Sequence, residues 1–211
     1  ERGKAQLASG DARGAVLELR SAIQADPKLG AAHQALGEAY LLTNEPDRAL
    51  QSYVRAADLL PEQASTQLQA GGLLLLAGRY EDARARAEKV LESDPKNVPA
   101  LILRANALAR LTDIDGALTQ VEEAVRLDPT KAWSYTSLGE YQLAKGMREE
   151  AEATFARALT LEPQSVDARL SIAQFYLRAG EPSTAERYLT EALALAPGNL
   201  TVRRMLTVMY L

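Results

Sequence analysis

The sequence predicts an all-α fold, a solenoid of antiparallel helix pairs, from three observations. Six of the nine prolines, at 27, 61, 95, 129, 163 and 197, stand at a constant interval of 34 residues. Each proline carries the same neighbourhood of small and apolar residues at helical spacing. The chain is rich in alanine and leucine, which are strong helix formers, and only 5% of it is aromatic. A fixed period in this range is the mark of a repeat architecture.

The helix that runs into each proline is the clearest element. Twelve residues before the proline stands alanine every time: Ala15, Ala49, Ala83, Ala117, Ala151, Ala185. Eight before it come Leu19, Tyr53, Ala87, Val121, Phe155 and Leu189. Five before it come Ala22, Ala56, Val90, Ala124, Ala158 and Ala192. Steps of three and four residues gather these positions on one helix face, where small and large side chains alternate as close packing demands. The proline then stops the helix, because it cannot continue the hydrogen-bond ladder.

A second helix lies upstream in each unit. Its small position, Gly3, Gly37, Gly71, Ala105, Gly139 and Ala173, lets another helix approach its backbone. Between the two helices recurs Gly10, Asn44, Gly78, Thr112, Gly146 and Gly180. Gly and Asn accept the left-handed conformation that ends a helix, so this is the turn, and Thr112 is its weak member. The repeats span about 1–27, 28–61, 62–95, 96–129, 130–163 and 164–197, with the first helix of a seventh over 198–211. No Pro/Gly/Ser-rich stretch or charge block breaks the register, so the expected organisation is one solenoid domain over 1–211.

Leu36-Gly37 with Tyr40, then Ala49, Tyr53, Ala56 and Pro61, resembles the tetratricopeptide repeat pattern. Leu138-Gly139, Ala151, Phe155, Ala158 and Pro163 resemble it again. The chain departs from the pattern at His33, Gln67, Leu101, Tyr135 and Arg169, where the family often has tryptophan. The wording between structural positions also loosely resembles large bacterial tetratricopeptide proteins of the cell envelope, some tied to exopolysaccharide export. The family resemblance implies a right-handed superhelix whose first helices line a concave groove. It also implies which side chains point there. In order these are Gln34, Glu38 and Leu41; Leu68 and Leu75; Ile102, Asn106 and Arg110; Trp133, Thr136 and Glu140; and Leu170, Gln174 and Arg178.

The middle of that series is apolar, which suits an extended or helical peptide with apolar anchors. Trp133 reads either as a binding hot spot, bringing large area at low entropy cost, or as a plug between repeats four and five. Arg110, Arg178 and Arg204 either favour an acidic partner segment or simply solvate the surface. The carboxylate clamp of chaperone-tail binders is not present: its positions hold Gln34/Glu38, Leu68/Gly72 and Ile102/Asn106.

Composition excludes other trades. A net charge of −4 and a pI near 5.2 provide no basic footprint for nucleic acid. With no cysteine and one histidine, His33, neither a thiolate nor a histidine metal cluster can form, and His33 reads as structural. Acidic pairs such as Asp113/Asp115, Glu122/Glu123 and Glu149/Glu150 fall in turns or on helix faces expected to be solvated, and several sit in a helical first turn, where the dipole favours anions. Arg148 and Glu123 read as solvated surface, and Asn199-Leu200-Thr201 as a chance glycosylation motif. The expectation is therefore a non-enzyme without cofactor or metal, with no direct membrane insertion and with a protein or peptide as partner. Even the longest apolar runs, such as 73–77, are far short of a membrane span, which needs about 20 such residues. No signal peptide is visible, and the chain opens on Glu1 with a helical pattern already running. Thr201–Leu211 ends on Met205, Leu206, Val208, Met209 and Leu211 without a polar covering helix, which points to a piece of a longer protein or an end covered by another chain. Two further readings follow. The chain is then the recognition arm of a larger enzyme or secretion complex, or a self-assembling unit that forms a homo-oligomer through its terminal helices.

Overall fold

The computed structural model describes residues 2–210. Among these there are thirteen helices and no strand, and backbone contacts divide the chain into two units, Glu1–Leu111 and Thr112–Leu211.

The first unit holds α1 (Arg2–Ala8), α2 (Ala12–Ala25), α3 (Gly30–Leu42), α4 (Pro46–Leu59), α5 (Ala64–Leu76), α6 (Tyr80–Ser93) and α7 (Val98–Arg110). Each helix packs on the next, and α1 meets α3 and α5 meets α7 as next-but-one neighbours. The second holds α8 (Ile114–Leu127), α9 (Ala132–Ala144), α10 (Arg148–Leu161), α11 (Val166–Arg178), α12 (Pro182–Leu195) and α13 (Leu200–Met209). It follows the same rule, with α9 against α11. Helix starts are set by side-chain caps at Asp11, Asn97, Asp113, Ser165 and Asn199, and by prolines in the first turns of α4, α7 and α12. Asn199 of the chance glycosylation motif is thus the cap of α13, accepting from the Thr201 and Val202 amides.

The register alanines are fully buried from Ala15 to Ala185, and the residues eight before each proline are all buried as well. Ala22 is only half-buried. Small and large residues interlock as mated pairs. A Cβ added to Gly37 would come within 2.6 Å of the Tyr53 ring, and one on Gly139 within 2.7 Å of Phe155. In the third repeat the residue eight before the proline is the small Ala87, and Leu103 of α7 fills the space instead, 2.4 Å from a Cβ on Gly71. Either pairing excludes any side chain at the glycine.

All six expected turn residues have positive φ, from 60° at Asn44 to 84° at Gly10. Where the turn follows α3, the Glu45 amide donates back to the Tyr40 carbonyl, and Arg79, Met147 and Glu181 do likewise after α5, α9 and α11. This six-to-one bond closes the helix end. Thr112 adopts φ 69° although its branched Cβ disfavours it, a strain of about 1–3 kcal/mol. Glycine would relieve that strain and return about 0.5–1 kcal/mol in lost chain freedom. Thr112→Gly should therefore stabilise the protein by roughly 1 kcal/mol in urea denaturation; a lowered midpoint would contradict this reading.

Candidate functional site

The groove candidates lie on first helices, and the two units present them separately. In the first unit, Glu38 and Leu41 of α3 are exposed and Gln34 is half-buried. Leu68 and Leu75 of α5 are half-buried. On α7, Arg110 is exposed and Asn106 half-buried, but Ile102 is only 6% exposed. Ile102 is therefore corrected from a partner contact to a core residue: its side chain leaves almost no surface to offer. The Gln34 amide donates to Gln69 Oε1 at 3.2 Å, joining α3 to α5 at the surface. Beside it a recess of about 380 Å³ opens between α1 and α3, with Lys4 and Glu38 on its rim and Leu7 and Ala35 within. Burial, and secondly the charge of Glu38, push the Tyr53 hydroxyl above its usual pKa near 10.

In the second unit, Trp133 of α9 is 38% exposed between the buried Ala132 and Ser134, so its ring stands at the surface of the helix. Thr136 is half-buried and bonds its own helix at Ala132, while Glu140 is exposed and accepts from Ser171 of α11 at 2.6 Å. On α11, Leu170 is half-buried and Gln174 and Arg178 are exposed. Further on, Leu177, Arg204, Met205 and Val208 line an apolar recess of about 410 Å³ at α13. Leu206, in contrast, is buried in the core with Val202 and Leu189.

Three features were not foreseen. In three repeats the residue six positions after the proline makes hydrogen bonds back to the chain, while Leu101 at the same position is plain core. His33 donates from Nε2 to the Pro27 carbonyl at 3.1 Å. The fully buried Gln67 donates to the carbonyls of Ala57 and Pro61, and Arg169 bonds the Ser165 carbonyl and Glu191. Arg148, read as plain surface, pairs with Glu181 in the next repeat and lies 5.4 Å from the Phe175 ring centre. Its bond to Glu181 raises its already high pKa. A cleft of about 840 Å³ also opens between α2 and α4 over α3.

Three of the paired acidic residues have local structural roles. Asp113 caps α8 through the Gly116 amide, Asp115 pairs with Lys145 at 2.8 Å, and Glu123 pairs with Arg126 at 2.6 Å. No helix of the described residues is long and apolar enough to cross a membrane.

Comparison with known proteins follows the same lines. A region of Superkiller complex protein 3 from Mus musculus is 31% identical over 131 residues, which is 59% of this chain and 8% of that protein. The chain thus spans a small part of the curated relatives it matches. A tetratricopeptide repeat protein from Parabacteroides merdae superposes with a TM-score of 0.82 at 18% identity, covering 99% of this chain and 82% of that one. A thermophilic one from Thermus thermophilus gives 0.78 at 22% identity, covering 86% and 98%. Family models described as tetratricopeptide repeat match residues 1–64, 74–136 and 142–207. With an all-helical solenoid fold, consistent with a protein-interaction scaffold, and matches over most of its length, the chain belongs to the tetratricopeptide repeat family.

Proposed function

We propose that the chain is a non-catalytic scaffold that holds a segment of a partner protein along the exposed face of its first helices, within a single solenoid domain. The observation that carries this reading is Trp133: a large, stiff aromatic left 38% exposed on a first helix. Such a side chain contributes area to a partner at little entropic cost. Around it, Thr136, Glu140, Leu170 and Gln174 supply a mixed polar and apolar field, whereas in the first unit Leu41, Leu68 and Leu75 supply an apolar one beside Gln34 and Glu38. Bonds between neighbouring first helices, Gln34 to Gln69 and Ser171 to Glu140, stiffen that face before a partner arrives.

Trp133→Ala should weaken partner binding by more than ~1 kcal/mol while the thermal midpoint barely moves. Affinity capture from cell extract on the wild-type chain and on the variant, with calorimetric unfolding of both, makes the check. Equal capture with a collapsed midpoint would mean that Trp133 is a packing residue and would remove the proposal's support. A second reading, end-to-end self-association, draws on the apolar recess at α13. Its test belongs at Met205 and Val208, since a charge at the buried Leu206 would unfold the core. Sedimentation that is independent of concentration would dismiss it.

A further inference from the structure

The cleft between α2 and α4 is a second concavity, on a different face of α3 from Gln34, Glu38 and Leu41. Its floor is Ile23, Leu36 and Tyr40, and its walls carry Arg20, Arg48 and Arg55. No aspartate or glutamate lines it. Arg48 is paired with Glu45 and lies 5.7 Å from the Tyr40 ring centre. Arg20 and Arg55 are exposed and make no ion pair or hydrogen bond among the described residues.

The repeat provides an internal control for how this cleft arises. Two positions along the register explain its size. Ala39 and Ser52 stand where the second unit has Phe175 and Tyr188, exactly 136 residues on, and there the corresponding space between α10, α11 and α12 shrinks to about 130 Å³. Three more explain its charge. Arg20, Arg48 and Arg55 are matched there by Ala156, Thr184 and Glu191. Later repeats hold Val54, Asp82 and Lys89 at these register positions, then Glu88, Gly116 and Glu123, then Glu122, Glu150 and Arg157. Only the first set is wholly cationic, in a chain whose net charge is −4. Packing alone does not need three arginines here, since the other repeats pack without them.

We propose that this cleft binds a short acidic peptide segment of a partner protein, one apolar side chain resting on Leu36 and Tyr40 and flanking carboxylates meeting Arg20 and Arg55. The volume falls in the range of ligand-sized pockets. Guanidinium forks suit carboxylates, and an apolar floor between them suits an acidic peptide better than a sugar-phosphate chain. A long polyanion would also meet the repulsion of the rest of the surface.

The test uses the full chain and a short fluorescent peptide alternating glutamate with leucine, read by anisotropy. Binding should weaken at least about tenfold in the double variant Arg20→Gln with Arg55→Gln, with unchanged thermal unfolding. It should be lost when glutamine replaces glutamate in the peptide. Ser52→Tyr, which fills the cleft as Tyr188 fills its counterpart, should block binding with the arginines intact. Trp133→Ala should leave it unchanged, which separates this site from the first-helix face. Failure of the wild-type chain to bind, or equal binding by the arginine variant, would overturn the proposal. So would an oligothymidylate that binds with the same arginine dependence, because it would assign the cleft to nucleic acid.

Discussion

Replacing Phe155 with alanine is expected to lower the unfolding free energy by about 3–5 kcal/mol. Phe155 is 2% exposed and packs against Ile172 and Phe175, with its ring 6.0 Å from that of Phe175. Gly139 yields its side chain so that the ring can lie against the α9 backbone. Alanine would leave a hole bounded by a helix that cannot move inward without breaking its contact with α11. Urea denaturation of wild type and variant, followed by helical circular dichroism, measures the loss. A change below ~1 kcal/mol would mean that the repeat closes over the gap, and that the glycine–aromatic pair is not what fixes the helix spacing.

Gln67→Leu should cost about 1–3 kcal/mol although it preserves volume. Gln67 is fully buried, and its amide reaches the carbonyls of Ala57 at 2.6 Å and Pro61 at 3.3 Å, at the end of α4. Its Oε1 accepts from Arg86, which also pairs with Asp58 at 2.7 Å. Leucine leaves those carbonyls without a donor and Arg86 with one partner fewer. The repeat supplies a control, because Leu101 holds the same register position and is buried there without strain on the fold. Leucine therefore fits the backbone, and the loss measures the hydrogen bonds. Denaturation in guanidinium decides it, and a variant as stable as wild type would make the network incidental.

These two residues also show what the repeat register conveys and what it does not. The register places Phe155 opposite Gly139 because both positions recur at the 34-residue interval, so the core and the turns were legible before any coordinates. Even Thr112, chemically unsuited to it, takes the turn conformation its position demands. What the register leaves open is the chemistry of one side chain among particular neighbours. Ile102 shares a register with Leu68 yet is buried where Leu68 is half exposed, because depth depends on the size of what packs alongside. Gln67 looked like a departure from the family pattern and is the hub of a polar network spanning Asp58 to Arg86. The arginine-walled cleft depends on Ala39 and Ser52 being short, which means nothing until the aromatic counterparts are laid beside them. Arg148 appeared to be idle surface, since Glu181 is too far along the chain to suggest a bond.

The principal helix contacts in each unit join elements that follow one another or skip one. Wiring of this kind lets each hairpin of helices settle against its predecessor as soon as it is synthesised, without waiting for a distant stretch of chain. It also makes duplication cheap: a further copy of the module asks only its immediate neighbours to accept it, so such a protein can lengthen over evolutionary time without redesigning what it already has.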